Sequence, residues 1–237
     1  MATQVPAPRE LDELPFAAHL RRFAGGSLRV GAFDTVHIDG VDFVDERVEE
    51  ASFVEAAVSA ASFEGVRMRR ARFNDVWLQG VRMVGCDLAE SNWLDVEAVG
   101  GVFAGVEIHG AGLRRVVFHG CKFDSLNLRG AKLHEVVFHD CVLREVDLSG
   151  AALTQCSFPG SRLEQVHLHQ AKLTEVDLRE AVALELADGV DSLRGAAVTP
   201  TQLLELAPAL AAALGVTVRE AGEPLKGAVR RGSRSRR

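Results

Sequence analysis

An apolar residue recurs at every fifth position from Phe23 to Leu178, and this period constrains the fold more than any other feature. The pattern holds for 32 consecutive positions without a change of register, and eleven of the twelve phenylalanines fall on it. The residue two places earlier is small or β-branched in most units, and the other three positions are mostly polar. The chain therefore carries one long internal repeat.

A period of five excludes the ordinary secondary-structure elements. An α-helix turns by about 100° per residue, so every fifth side chain drifts around its axis. A strand alternates its faces with a period of two, so a step of five residues reverses the side chain. Neither element keeps such positions in one core, whereas a chain that bends every five residues does. The period therefore predicts a solenoid.

The repeated units resemble those of the pentapeptide-repeat family, which read roughly Ala-Asp/Asn-Leu followed by two variable residues. Three units carry the resemblance best, namely Cys86–Glu90, Val146–Gly150 and Val176–Glu180. The resemblance implies an all-β solenoid, a right-handed quadrilateral β-helix with four units per coil and short helical caps. The 32 units would then form about eight coils.

The chain begins with a segment that precedes the repeat, residues 1–22. Residues 1–8 are expected to be disordered, and a short helix restarted at Pro15 is expected to cover the first coil. That helix would contain the apolar residues Leu11, Leu14, Phe16 and Leu20. The repeat domain is predicted over 23–198, although its phase weakens after Leu178, where Ala183, Asp188, Leu193 and Val198 continue it.

The sequence after the repeat predicts a helical cap and dimerisation element over 199–218. Thr199-Pro200-Thr201-Gln202 is a capping-box pattern with proline at the first helical position, and Gly215 is typical of a helix end. Pro208 should kink or split this helix, and residues 216–218 could add a strand.

This helix contains only one charged residue, Glu205. Four of its leucines are therefore predicted to form a dimer interface: Leu203, Leu206, Leu210 and Leu214. The family resemblance also implies a homodimer joined at the C-terminal ends.

Composition and targeting signals limit the class of protein. No apolar run approaches the roughly 18 residues that a membrane helix needs, and residues 1–10 lack the apolar core of a signal peptide. We therefore expect a cytoplasmic protein without membrane contact. The four cysteines all occupy the small inward position of the repeat: Cys86, Cys121, Cys141 and Cys156. Cys121 and Cys141 should stack one coil apart, within disulfide range, but a cytosolic location favours free buried thiols.

The sequence shows no catalytic constellation. It contains no glycine-rich phosphate loop, no zincin histidine pair and no nucleophile elbow, so we expect no enzyme activity, no cofactor and no metal. His119 and His139 occupy equivalent positions in successive predicted coils and should stack on an outer face, and His167 and His169 flank Leu168. Without carboxylates at ligand spacing these histidines are interpreted as solvated surface residues, with a metal site as the alternative.

One outward column of the predicted solenoid is acidic. The position two after the core residue, followed once per coil, places Glu55, Asp75, Asp95, Glu135 and Glu175 on one edge, interrupted by Thr35, Arg115 and Gln155. The next outward column adds Glu97, Asp177 and Trp77. We predict that these side chains form a partner-binding surface, and that Trp77 is exposed. The alternative is that the acids only solvate the solenoid and that Trp77 is one of a few scattered apolar residues.

Charge is distributed unevenly along the chain. Between Phe23 and Leu178 there are 23 acidic and 15 basic residues, whereas the predicted disordered tail, 219–237, has seven Arg or Lys and two Glu. A local basic cluster, comprising Arg67, Arg69, Arg70, Arg72 and Arg82, is interpreted as solvated surface, with a nucleic-acid contact as the weaker alternative because the acidic solenoid would repel phosphates. No direct DNA binding is expected.

Function is argued here from the resemblance, because a fold does not specify it. An acidic, loop-free solenoid with an apolar C-terminal helix is similar to those family members that protect type II topoisomerases, DNA gyrase above all. These members are thought to imitate duplex DNA and so to counter quinolones or natural topoisomerase poisons. A structural or scaffolding protein with another partner is the alternative class, and an enzyme is the third.

Overall fold

A bend at every fifth residue is built into the backbone. The computed structural model describes residues 5–221, and within it every fifth residue from Thr35 to Glu175 has a left-handed conformation with positive φ. Eleven of these 29 positions are glycine, which reaches this region without strain. The other eighteen are residues for which positive φ is uncommon, so the surrounding hydrogen bonds must hold them there.

Four such corners make one coil, and successive coils pair in parallel, each residue with its equivalent in the next coil. In one coil, Ser52 pairs with Arg72, Ala57 with Trp77, Ser62 with Arg82 and Arg67 with Asp87. We call the four sides wall A (52–54), wall B (57–59), wall C (62–64) and wall D (67–69), each together with its equivalents in the other coils. The result is a parallel β-solenoid of about eight coils, here called the tower, as the repeat predicts.

The strands follow these walls. In chain order they are β1 (Arg21–Arg22), β2 (Ala32–Asp34), β3 (Val36–Asp39), β4 (Asp42–Val44), β5 (Ser52–Ser59), β6 (Ser62–Glu64), β7 (Arg72–Gln79), β8 (Arg82–Val84), β9 (Asn92–Val99), β10 (Val102–Ala104), β11 (Gly112–His119), β12 (Lys122–Asp124), β13 (Lys132–His139), β14 (Val142–Arg144), β15 (Ala152–Thr154), β16 (Arg162–His167), β17 (Lys172–Thr174), β18 (Val176–Asp177), β19 (Ala183–Asp188) and β20 (Ala196–Ala197). The eight-residue strands wrap around the corner between walls A and B, whereas wall D is held by single bridges.

The core is formed by the two inward positions of each unit. Aromatic side chains on the repeat phase stack on their equivalents in the next coil, as Phe53 does on Phe73 with ring centroids 5.0 Å apart. Trp93 continues this column at 4.4 Å from Phe73, and its indole nitrogen donates to the Ser91 hydroxyl. Trp93 lies on the five-residue phase and is a core residue, as the period predicts.

The four cysteines occupy the small inward position and are buried and free. Burial raises the pKa of Cys156 to about 11, which keeps it in the unreactive thiol form. These thiols are thus packing residues equivalent to the alanines of other coils.

The N-terminal segment does not form a helical cap on the first coil. It contains two 3₁₀ helices, Leu11–Glu13 and Ala17–His19, and then β1, which pairs with β3. The segment lies along the side of the tower on wall B, where Leu14 and Phe16 are buried. We call residues 9–20 the strap. The prediction of a cap was wrong because the apolar residues of the strap match an apolar patch on the wall.

The tower ends through a change of register. β19 pairs with β16 so that Leu163 lies opposite Leu184, one position beyond the regular partner. Leu184 therefore takes the core position, and Ala183, which the period predicts there, is only partly buried. Asp188, also on the predicted phase, is exposed and accepts a hydrogen bond from His167 at 2.7 Å. Leu193 and Val198 pack against the core as partly buried residues, the former in a 3₁₀ helix, Val190–Leu193.

One α-helix, α1 (Pro200–Ala213), closes the C-terminal end. Thr199 and Gln202 form the predicted capping box, with Pro200 at the first position. The helix runs unbroken through Pro208, so the predicted split does not occur; the carbonyl that loses its partner belongs to Leu204, which is exposed to solvent. Gly215 has φ 71°, which fits the predicted helix end, whereas residues 216–218 form no strand. The predicted disorder of residues 1–4 and 222–237 lies outside the described residues.

Candidate protein-interaction surfaces

The acidic column predicted from the repeat lies at the corner between walls A and B. We call this column, from Thr35 to Glu175, the acidic edge. All its members are left-handed corner residues, and those from Glu55 to Glu135 lie within the eight-residue strands, so their side chains project outward from the tower. Glu55, Asp75, Glu135 and Glu175 are exposed, and Asp95 is partly buried.

Part of the negative charge on the acidic edge is compensated within it. Arg115 donates two hydrogen bonds of 2.6 Å to the carboxylate of Asp95 in the preceding coil. These bonds from Arg115 lower the pKa of Asp95. Gln155 donates to Glu175 at 2.9 Å. The acidic edge is therefore most negative around Glu55 and Asp75.

Two residues predicted to be exposed next to the edge are covered by the strap. Trp77 is only 1% exposed, because Leu14 and Phe16 pack on it and on Ala57. Glu97 is 6% exposed and forms an ion pair with Arg9. The expectation that Trp77 and Glu97 face solvent is wrong, and their role in partner binding stays a prediction. The sequence feature that indicated a covering segment was Trp77 itself, an aromatic side chain in an outward column.

One histidine of wall B, His119, lies beside Glu97, which the strap covers. His119 and His139 stack as predicted, with ring centroids 5.5 Å apart, but His119 is only 5% exposed rather than solvated. Burial lowers the pKa of His119. Its Nε2 lies 3.7 Å from a Glu97 oxygen, and its Nδ1 has no hydrogen-bond partner among the described residues. His119 is thus a neutral, buried neighbour of Glu97 near pH 7.

Several charges elsewhere on the tower are paired. Asp177 is partly buried and accepts from Arg179 at 2.6 Å, which lowers the pKa of Asp177. In the basic cluster, Arg69 pairs with Asp87 and Glu90, and Arg70 pairs with Glu49 and Glu50. The cluster is therefore less basic than its sequence indicates.

Acidic residues are not confined to the edge. Wall D carries Asp87, Glu107 and Asp147 in one column, separated by Asn127. Asn127 donates to Glu107 at 2.6 Å, and Arg129 donates to Asp147 at the same distance. This acidic column of wall D is limited to four coils, because Arg47 and Arg67 precede it and His167 follows it. The sequence prediction did not single it out.

The four leucines predicted as a dimer interface divide into two groups. Leu206 is buried against the core of its own tower, and Leu210 is partly buried beside it. Leu203 and Leu214 are 50% and 80% exposed, and Leu204 adds an exposed neighbour. Gln202 is buried as well, and donates at 2.7 Å to the carbonyl of Leu178 in the last coil. The helix therefore caps the tower with one side and exposes apolar residues on the other.

The described residues offer no metal site or membrane span. Within residues 5–221, no three His, Cys, Asp or Glu side chains are grouped so that they could hold a metal ion. No helix in the same range is long and apolar enough to cross a membrane.

Comparisons with known proteins identify the repeat. A family model described as a pentapeptide repeat region matches residues 102–186. A second family model, which describes eight copies of the pentapeptide repeat, matches residues 51–95. A sequence comparison with curated proteins found no match.

Solved structures of similar proteins also contain this repeat. A trypsin-treated form of QnrB1, a plasmid-mediated fluoroquinolone resistance protein, is 21% identical, with 79% of this chain and all 100% of that chain covered and a TM-score of 0.49. A pentapeptide-repeat protein of the Arabidopsis thaliana thylakoid lumen is 14% identical over 52% of this chain and 71% of its own, with a TM-score of 0.35. HetL, from the cyanobacterium Nostoc, is involved in heterocyst differentiation regulation. It is 16% identical over 70% and 88% of the two chains, with a TM-score of 0.29. The two family models together cover more than half of the sequence, and the chain belongs to the pentapeptide-repeat family.

Proposed function

We propose that this chain is a non-enzymatic binding protein that binds a type II topoisomerase through the acidic edge. DNA gyrase is the main candidate for that enzyme. The observation that best supports this function is the regular column of outward carboxylates on a rigid ladder, in which Glu55, Asp75 and Asp95 follow one another coil by coil. In this proposal the acidic edge competes with duplex DNA for a basic surface of the enzyme and thereby protects it from quinolones or natural poisons.

The imitation of DNA would be partial. Neighbouring coils of a parallel ladder are about 4.8 Å apart, whereas duplex DNA carries one negative charge per about 1.7 Å of its axis. Arg115 further reduces the charge at Asp95. Such an edge still attracts a basic surface over a distance, and the association rate should fall as salt is added.

The exposed side of α1 supports a homodimer joined at the C-terminal ends. Leu203, Leu204 and Leu214 present apolar surface on the end of the tower, where a second copy would cover it. Two towers of eight coils in line would measure about 75 Å before their caps, which lengthens the acidic edge available to a partner.

The test reverses charge on the edge and compares it with an equal reversal elsewhere. Glu55, Asp75, Glu135 and Glu175 are changed together to Lys, because these carboxylates are exposed. The matched control changes four exposed acids of wall C and its corner, Asp42, Glu64, Asp124 and Glu145, to Lys. Binding to gyrase at low salt and gyrase supercoiling with and without a quinolone are measured, and circular dichroism confirms the fold.

We expect the edge variant to lose binding and protection while the wall C variant retains them. Unchanged affinity of the edge variant at low salt would exclude the acidic edge as the contact surface. A scaffolding role with another partner is the second candidate, and the acidic column of wall D favours it, because the negative charge is not restricted to one edge. Failure of the unmodified protein to bind gyrase would support that role.

A further inference from the structure

Wall B contains a groove that the chain's own strap already occupies. At one end of the strap, the Arg9 backbone N–H donates to Glu97 Oε1 at 2.8 Å, and its Nε donates to Oε2 at 2.5 Å. The indole nitrogen of Trp77 donates to the Arg9 carbonyl at 3.1 Å. Both backbone groups and the guanidinium of one arginine are therefore recognised by two side chains of the wall.

Among the described residues, the part of the strap beyond Arg9 is held to the wall by apolar contacts until it reaches β1. Leu14 and Phe16 are buried against Ala57 and Trp77 in a cluster separate from the core of the tower. Within the same described range, the backbone hydrogen bonds of residues 10–20 stay within the strap. The groove thus selects an arginine followed, five and seven residues later, by two large apolar side chains.

The requirement for a cation at Glu97 is strong because this carboxylate is buried. Its side chain is 7% exposed, and the nearby His119 is kept neutral near pH 7 by its lowered pKa. Arg9 is therefore the charge that balances Glu97, and removal of one partner from a buried pair leaves an unpaired charge. A peptide without a cation at this position should bind poorly.

The wall is complete without the strap. The parallel ladder of wall B runs without interruption through Ala57, Trp77, Glu97 and Val117. A cavity of about 540 Å³ remains between the strap and the acidic edge, and Glu55, Asp75 and Asp95 line it. The ladder can therefore hold the shape of the groove when the strap lifts. The cavity leaves room for a further basic side chain.

We propose that wall B, from Ala57 to Val117, is a binding groove for a segment of a partner protein that carries this arginine and apolar pattern, with a 3₁₀ turn between them like that of the strap. Such a segment takes the place of the strap, with its arginine on Glu97 and its apolar side chains on Ala57 and Trp77. The strap is tethered and competes as an intramolecular ligand, so a partner gains from contacts outside the groove as well. The inference does not depend on which protein the acidic edge binds.

The test uses the strap sequence itself as the probe. A synthetic peptide of residues 5–20 is titrated into the full-length chain carrying Leu14→Asp and Phe16→Asp, which removes the apolar contacts of the strap and leaves the wall residues unchanged. We expect saturable binding with a blue shift of tryptophan emission as Trp77 is covered again. The same shift should be absent in this variant with Trp77→Phe, because Trp93 stays inside the tower.

Variants of the peptide and of the wall test whether the binding is specific for the arginine. A peptide with alanine in place of the arginine should bind at least about tenfold more weakly, because it leaves the buried Glu97 without its cation. The natural peptide should be weakened similarly on the opened chain with Glu97→Gln, which removes the carboxylate that accepts from the arginine. Arg9→Ala gives a milder opening should the double substitution disturb folding, and Arg22→Glu, which alters an exposed arginine of β1, should leave the strap seated. No binding to either opened chain, or binding indifferent to the arginine of the peptide, overturns the proposal.

Discussion

The interior of the tower and the strap on wall B bury similar residues, but their packing is specified differently. Inside the tower, Phe53 stacks on Phe73 with rings inclined by only 4°, so each side chain packs on its own equivalent in the next unit. In the strap, Phe16 packs on Ala57 and Trp77 of the wall, and the strap itself contains no repeated unit that could supply such a contact. A repeat thus supplies its own packing partners, whereas a single segment needs a surface elsewhere that fits it.

Two phenylalanines provide the largest test of this difference. We expect Phe123→Ala to lower the free energy of unfolding by about 3–5 kcal/mol, because it leaves a cavity beside Phe103, Phe118 and Phe138 in the core. Phe16→Ala should cost less, about 1–2 kcal/mol, since the strap can relax or open locally without unfolding the tower. Denaturant midpoints measured by far-UV circular dichroism give both values.

Lys122→Ala, next to Phe123 but exposed, is the control and should change stability by no more than about 0.5 kcal/mol. Equal losses for the two phenylalanines would show that the strap folds as one cooperative unit with the core. A Phe123 variant no less stable than the Lys122 variant would contradict an inward Phe123.

The C-terminal helix is the other non-repeating attachment, and it tests whether an uncovered apolar side binds a second copy. Leu204→Glu with Leu214→Glu should convert a dimer into a single chain of 25.6 kDa in light scattering, because both leucines are at least 75% exposed. Truncation at Gly195 is less specific, since it also removes Leu206 from the core. Glu205→Gln is the control within the same helix, and a monomeric unmodified protein would end the dimer hypothesis.

The smallest expected effect concerns one ion pair on the acidic edge. Because Arg115 lowers the pKa of Asp95, the pair stabilises the fold above the unfolded pKa of Asp and loses this contribution as pH falls through the lower folded value. Arg115→Ala should therefore reduce the loss of stability between about pH 6 and about pH 3. Denaturant midpoints at both pH values measure it, with Lys132→Ala as control. The same acid sensitivity in the Arg115 variant as in the unmodified chain would contradict this role.

The period of five was sufficient to predict the tower because each coil repeats the same information. It placed Phe33, Phe123 and Leu178 in the core and set the register in which each coil pairs with the next. It failed at Ala183, where an extra residue moves the core position to Leu184; the weakened phase indicated a change but not its position. The outward column of carboxylates was predictable for the same reason as the core.

The strap was not predictable, because its contacts do not repeat. Arg9 and Glu97 are 88 residues apart, and no pattern in the sequence pairs them. The sequence showed four apolar residues before the repeat and one aromatic residue, Trp77, in an outward column, but these signals do not specify a contact. Burial of Trp77, Glu97 and His119 is therefore a tertiary result, and the strap covers two residues, Trp77 and Glu97, of the predicted partner-binding surface.

The direction of the ladder hydrogen bonds has a mechanical consequence. In the tower they run along the long axis, so tension applied between its two ends passes undivided through every coil, and the coils yield one at a time. Each coil that yields would release its four repeat units, or about 70 Å of extended chain. The strap links the β3 coil to the β9 coil from outside and would share the load among them. Such a molecule would lengthen in equal steps, and its strapped end would be the stiffer one.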